Sequence, residues 1–262
     1  MFIFASVNKG RLMLVNKFLK IVLLLLGVSY IILQGFVLEI EGDAVSAVAF
    51  ILLTWLYMGW TKHKSKLFIL FLVSFTAAQV LGFLAWFRSI PVEGQTDYLY
   101  YIVNILSIIS YVLLITKMFI HLDFKTVFSE LTVPIIILVI LDVFCVTLIS
   151  GTTENAFNYS EYALEFTYNA VVMILLSFAL INYMYRNNYK SMLFLLGSIF
   201  IVFSEIIQLA YYYILSDDAN LGYIYSFFLV VAFIFYYLQS QHIVSEPTPA
   251  YTDDPIEGQA LN

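Results

Sequence analysis

Cysteine is almost absent from this chain: Cys145 stands alone, so no internal disulfide can form and packing must hold the fold. Proline is scarce too. There are five, three of them (Pro247, Pro249 and Pro255) close to the C-terminus, which leaves long uninterrupted helices possible elsewhere. Charge is the third shortage: 11% of residues are charged, against 62% hydrophobic and 18% aromatic, with a mean hydropathy of +0.92. A water-soluble domain does not have this composition. The three histidines, His63, His121 and His242, fall in loops or ends, so no metal site is expected. Neither a Gly-x-Ser-x-Gly elbow nor a Walker loop occurs, which removes serine-hydrolase chemistry and nucleotide hydrolysis. No cofactor and no nucleic-acid partner is expected.

What remains is apolar sequence in long runs. Eight of them can cross a hydrocarbon core of roughly 30 Å, at approximately 20–38, 44–60, 67–87, 98–119, 131–149, 163–185, 191–215 and 221–241. Strand alternation is missing, and a helix satisfies its own backbone polar groups in lipid, so the class is all-α: a polytopic bundle of eight transmembrane helices. The first run follows Lys9, Arg11, Lys17 and Lys20 and has no small-residue cleavage site, so it reads as a retained helix. Residues 1–242 form the membrane domain in this reading. Residues 243–262 form a disordered acidic cytoplasmic tail.

Basic residues of short loops favour the cytoplasmic side. With eight spans, eleven of the twelve Lys and Arg residues fall on one side and only Arg88 on the other. This predicts a cell-membrane protein with both termini cytoplasmic. The net charge of −6 then reflects acidic outer loops and the acidic tail.

The chain also resembles itself. "KSKLFIL" at 64–70 and "KSMLFLL" at 190–196 lie 126 positions apart, and that register gives nine identities over residues 44–79. A duplication of four spans would give two parallel repeats and make Gln79 and Glu205 equivalent positions.

Glu205 is the residue that apolar packing does not explain. It lies about 3 Å beyond the midpoint of the seventh span, where an acidic side chain costs roughly 2.5–3.5 kcal/mol. Gln79 and Asp142 come out near the same depth, with Gln208, Asn104 and Asn169 about 7 Å into the outer half. Ser198, Glu205, Gln208 and Tyr212 make one stripe on their helix; Asn104, Ser107 and Tyr111 make another. Such stripes should face each other, with Ala77, Ala78 and Gly82 on the third span and Gly197, Ser198 and Ser204 on the seventh letting those two helices approach closely. No Lys or Arg lies at that depth, so a neutral carboxyl hydrogen-bonded to Gln79, Gln208 or a tyrosine is expected, a group able to act as a general acid.

"GSIFIVFSE", residues 197–205, resembles the second signature of the YhhN-like lysoplasmalogenase family, with Ser204-Glu205 at its Ser-Asp position. "YNAVVM" at 168–173 is similar to the opening of the preceding helix, and "KSKLFILFLVSFTAAQ" stands where the family has a basic loop, a Leu-rich helix and Gly-Asp. Here Ala78-Gln79 replaces Gly-Asp, no Lys-Pro precedes the third span, and the fourth span has no histidine. The resemblance implies hydrolysis of the vinyl ether bond of a lysoplasmalogen. Glu205 would be the acid, Gln79 its companion, and Gln208, Asn104, Asn169, Asp142 and Ser204 would line the substrate pocket. Two alternatives stay open: a lipid-binding or lipid-sensing protein without turnover, and a proton-coupled carrier. In the first two cases the partner is a membrane lipid or lysophospholipid.

Overall fold

The computed structural model describes residues 2–61, 64–88, 96–120, 122–215 and 218–242. The expected tail at 243–262 lies outside them, as do His63 and His121. Among the described residues nine α-helices follow in order: α1 (Phe2–Gly35), α2 (Glu39–Trp60), α3 (Lys66–Ala85), α4 (Tyr98–Phe119), α5 (Phe124–Glu130), α6 (Thr132–Thr152), α7 (Tyr159–Arg186), α8 (Tyr189–Tyr213) and α9 (Ala219–Ser240). All but α5 are long and apolar enough to cross a membrane, and each coincides with one of the eight apolar runs. The protein is a multi-pass, all-helical membrane protein.

Local chemistry sets the helix ends. Asn158 and Asn188 cap α7 and α8, each completing a reciprocal capping box with Glu161 and Ser191. The turn between those helices passes through Asn187 at φ 43°, a left-handed conformation that asparagine tolerates. Between α1 and α2 the same region holds Val37 at φ 58°, where a β-branched residue is strained. Asp97 caps α4 through the Tyr100 N–H at 2.9 Å and pairs with Arg88. The Arg88 guanidinium holds the Asp97 carboxyl below the usual carboxylate range, with the Tyr100 N–H acting in the same sense. The seven residues of α5, capped by Asp123, are too few to show periodicity in sequence.

Seven of the long helices close a ring. α1 packs on α2, α2 on α3, α3 on α4, α4 on α7, α7 on α8, α8 on α9, and α9 back on α1. α6 stands outside, against α7, and only 6% of its apolar window is buried. Sequential neighbours are therefore the same in both halves of the chain, but closure is not: α1 belongs to the ring and α6, its counterpart in the 126-residue register, does not.

Aromatic rings from four helices fill the middle. Phe50 lies 4.5 Å from Phe233 between ring centroids, Phe75 lies 4.7 Å from Phe233, and Phe71 stacks on Phe233 at 5.7 Å. Phe75 reaches Tyr111 at 6.1 Å.

Close approach occurs where small residues meet α9, not between the third and seventh spans as expected. A Cβ on Gly197 would lie 2.7 Å from the Tyr236 ring, and Ser204 Oγ donates to the Tyr225 carbonyl at 2.8 Å. The small face of α8 is thus spent on α9. Gly82 of α3 meets nothing within 4 Å. At the junction of α1 and α9, a Cβ on Gly222 would come 2.4 Å from the Gln34 carbonyl oxygen, so glycine there lets the two backbones touch.

Candidate functional site

Glu205 faces into the ring. Tyr111 of α4 donates to Oε1, and Tyr168 of α7 donates to Oε2 at 2.8 Å, so one carboxyl ties three helices together. Tyr111 is fully buried. Of the three partners expected for the carboxyl, the tyrosine is the one present. The sequence already placed Tyr111 on the stripe with Asn104 and Ser107; Tyr168 stood out only through the "YNAVVM" segment.

The remaining predicted site residues do not converge on this carboxyl. Gln79 accepts from Ser46 Oγ at 3.0 Å, a bond between α3 and α2. Asp142 accepts from Ser177 Oγ at 2.8 Å, between the outlying α6 and α7. Depth placed Asp142 correctly among mid-helix polar groups, but depth carries no information about azimuth, and α6 is not part of the ring. Asn169 donates to Ser150 of α6 at 3.2 Å and to Glu165 of its own helix at 3.3 Å. Asn104 donates to its own helix at the Tyr100 carbonyl. Ser204 is committed to α9, and Gln208 is half-buried.

The same half of the ring holds polar groups that sequence reasoning did not single out. Asp43 accepts from Gln34 at 3.2 Å and from the Trp86 indole at 2.7 Å, and Glu39 accepts from Tyr211 at 2.7 Å. Tyr30, Tyr211, Tyr212 and Tyr225 crowd beside them, with the buried Tyr225 hydroxyl within reach of the Tyr30 and Tyr212 hydroxyls. Tyr30 is near enough to feel both the Asp43 and the Glu205 carboxyls through space. Most of these tyrosines sit outside any polar stripe, so no pattern in the chain marked them.

Two cavities open elsewhere. The larger, about 270 Å³, is an apolar groove between α1, α2 and α9, lined among others by Gly27, Ala49, Leu53 and Phe233. Lys20 stands at one end, with its ammonium 5.5 Å from the Tyr237 ring centroid, and Tyr30 and Ser46 stand along its wall. Ser46 is the donor to Gln79, so the groove runs up to the polar half of the ring. The smaller lies among the ends of α4, α7, α8 and α9. Among the described residues no three His, Cys, Asp or Glu side chains gather as a metal site.

No family model, no curated protein and no solved structure matches this chain.

Proposed function

We propose that this protein takes a single-chain lysophospholipid from the surrounding bilayer and holds it in the groove between α1, α2 and α9. The observation that carries the reading is the groove itself. Its volume of about 270 Å³ is at the small end for a ligand site, suited to one hydrocarbon chain, and its lining is almost wholly apolar. From Lys20 to Tyr30 it follows about 15 Å of helix, the depth of one leaflet's hydrocarbon. Lys20 at the end supplies a cation for a phosphate headgroup. Charge sorting supports a cell-membrane location with both termini cytoplasmic, which puts Lys20 at the cytoplasmic leaflet.

A second reading adds turnover, and the Glu205 cluster favours it. Glu205 would give a proton to the vinyl carbon remote from the ether oxygen of a lysoplasmalogen. Water then adds to the oxocarbenium carbon, and the hemiacetal collapses to an aldehyde and a glycerophospho-alcohol. Tyr111 and Tyr168 would hold the carboxyl in place. Gln79, engaged by Ser46, is absent from that picture.

Native mass spectrometry of the purified protein with an added lysophospholipid tests the first reading. A bound lipid is expected in the wild type and its loss in Ala49→Trp, which fills the groove; equal binding by both proteins refutes the assignment. Incubation with lysoplasmalogen tests the second. Aldehyde formed by wild type and not by Glu205→Gln supports turnover, whereas no aldehyde from a lipid-loaded wild type leaves a binding protein.

A further inference from the structure

The smaller cavity lies at the end of the bundle where the basic residues collect, on the opposite face of α9 from the groove. Its lining brings together Lys117 from the last turn of α4, Asn182 and Arg186 from α7, Lys190 and Ser191 from the first turn of α8, and Gln239 from α9. Among the described residues no carboxylate lines it.

Among the described residues, Lys117 and Lys190 are thus drawn together with no acid between them. Lys117 and Lys190 repel each other through space, as do Lys190 and Arg186. Lys117 rests over the Phe68 ring at 4.5 Å and the Phe194 ring at 6.0 Å, contacts that position an ammonium without neutralising it. Gln239 is 1% exposed, and among the described residues its amide nitrogen has no hydrogen-bond partner. A buried, unpaired donor costs about 1–3 kcal/mol unless something accepts from it. The α8 N-terminus adds its partial positive charge at the same place. The cavity of about 50 Å³ has room for roughly four waters or one tetrahedral oxyanion.

We propose that this cavity is a binding site for a phosphate dianion, free or carried as a monoester. Lys117 and Lys190 are its charge partners and the Gln239 amide its buried hydrogen-bond donor. A dianion would relieve the mutual repulsion of the lysines and satisfy the orphaned amide in one step. The assignment goes beyond the lipid groove and does not depend on it, since no groove residue takes part.

The same chemistry can arrive as free phosphate or as the headgroup of phosphatidate. The full-length protein is titrated with inorganic phosphate in detergent, and separately reconstituted in nanodiscs of phosphatidylcholine with and without phosphatidate, with thermal unfolding as the readout. Stabilisation in the first arm identifies a soluble phosphate ligand; stabilisation by phosphatidate alone identifies a lipid headgroup. In either case Lys117→Gln and Lys190→Gln should each weaken binding about ten-fold or more, as expected for loss of a charge-assisted hydrogen bond. Gln239→Leu should weaken it while leaving the net charge unchanged. Lys125→Gln, on the exposed face of α5, should change nothing. The proposal is overturned if neither ligand stabilises the wild type, or if Lys125→Gln weakens binding as much as Lys117→Gln.

Discussion

Tyr111→Phe isolates one hydrogen bond at the centre of the ring. The phenyl ring keeps its neighbours, Phe75 at 6.1 Å and Tyr168 at 6.0 Å between centroids, so only the hydroxyl donor to Glu205 is removed. Hydrogen bonds between membrane helices average about 0.6 kcal/mol and reach about 1.7 kcal/mol. This one should lie at the upper end, because Tyr111 is fully buried and its loss leaves a carboxyl oxygen without its donor. A destabilisation of about 1.5 kcal/mol is therefore expected. Tyr168→Phe should cost a similar amount, and the double variant less than the sum, because both act through one carboxyl. The assay is reversible unfolding of the purified protein in mixed micelles, followed by tryptophan fluorescence and run as a double-mutant cycle with Glu205→Gln. A coupling of about 1 kcal/mol between Tyr111 and Glu205 is expected. If Tyr111→Phe is as stable as wild type, or if its effect is the same with and without Glu205, the carboxyl is not what joins α4 to α8.

Gly222→Ala should destabilise the protein by about 1–3 kcal/mol, because the new Cβ meets the Gln34 carbonyl, a backbone atom that cannot turn aside. Gly82→Ala, with open space around it, should instead gain up to about 1 kcal/mol of helix propensity; thermal unfolding of the two variants side by side checks both. Val37→Gly should stabilise slightly by releasing the left-handed strain at φ 58°, and a higher unfolding midpoint is the readout. The Asp97 carboxyl titrates lower in the folded chain than in the unfolded one. Its contribution is complete above the unfolded value of about 3.9 and disappears as pH falls from there through the folded value. Unfolding midpoints of wild type and Asp97→Asn should therefore differ at neutral pH and converge in acid. Asp142→Asn should leave lysophospholipid binding unaltered, since its bond to Ser177 lies between α6 and α7 and away from the groove.

Legibility in the sequence varied with what each residue must satisfy. Long apolar runs were readable because lipid offers the backbone no partner, so each span must be helical from end to end. Glu205 was readable because a carboxylate at mid-span is costly enough to stand out against apolar neighbours. Its partner Tyr111 was half-readable: the stripe with Asn104 and Ser107 gave a face, but a stripe does not say which helix it meets. Asp142 shows the limit. It shares a depth with Glu205, yet it stands on the outlying α6, where it accepts from Ser177 of α7. Gln79 shares both a depth and a repeat register with Glu205 and still bonds to Ser46.

The amino-acid sequence by itself determined the number of crossings, their limits to within a few residues, and the sorting of basic residues to one end, because each is settled by one segment's encounter with lipid or water. Only the tertiary structure decided that seven helices close a ring and α6 does not. It also decided that Glu205 meets two tyrosines and not Gln79, and that three cations and a buried amide share one cavity. Those outcomes depend on which helix lies beside which, and in a chain whose lipid-facing and partner-facing surfaces are equally apolar, hydropathy holds no record of that choice.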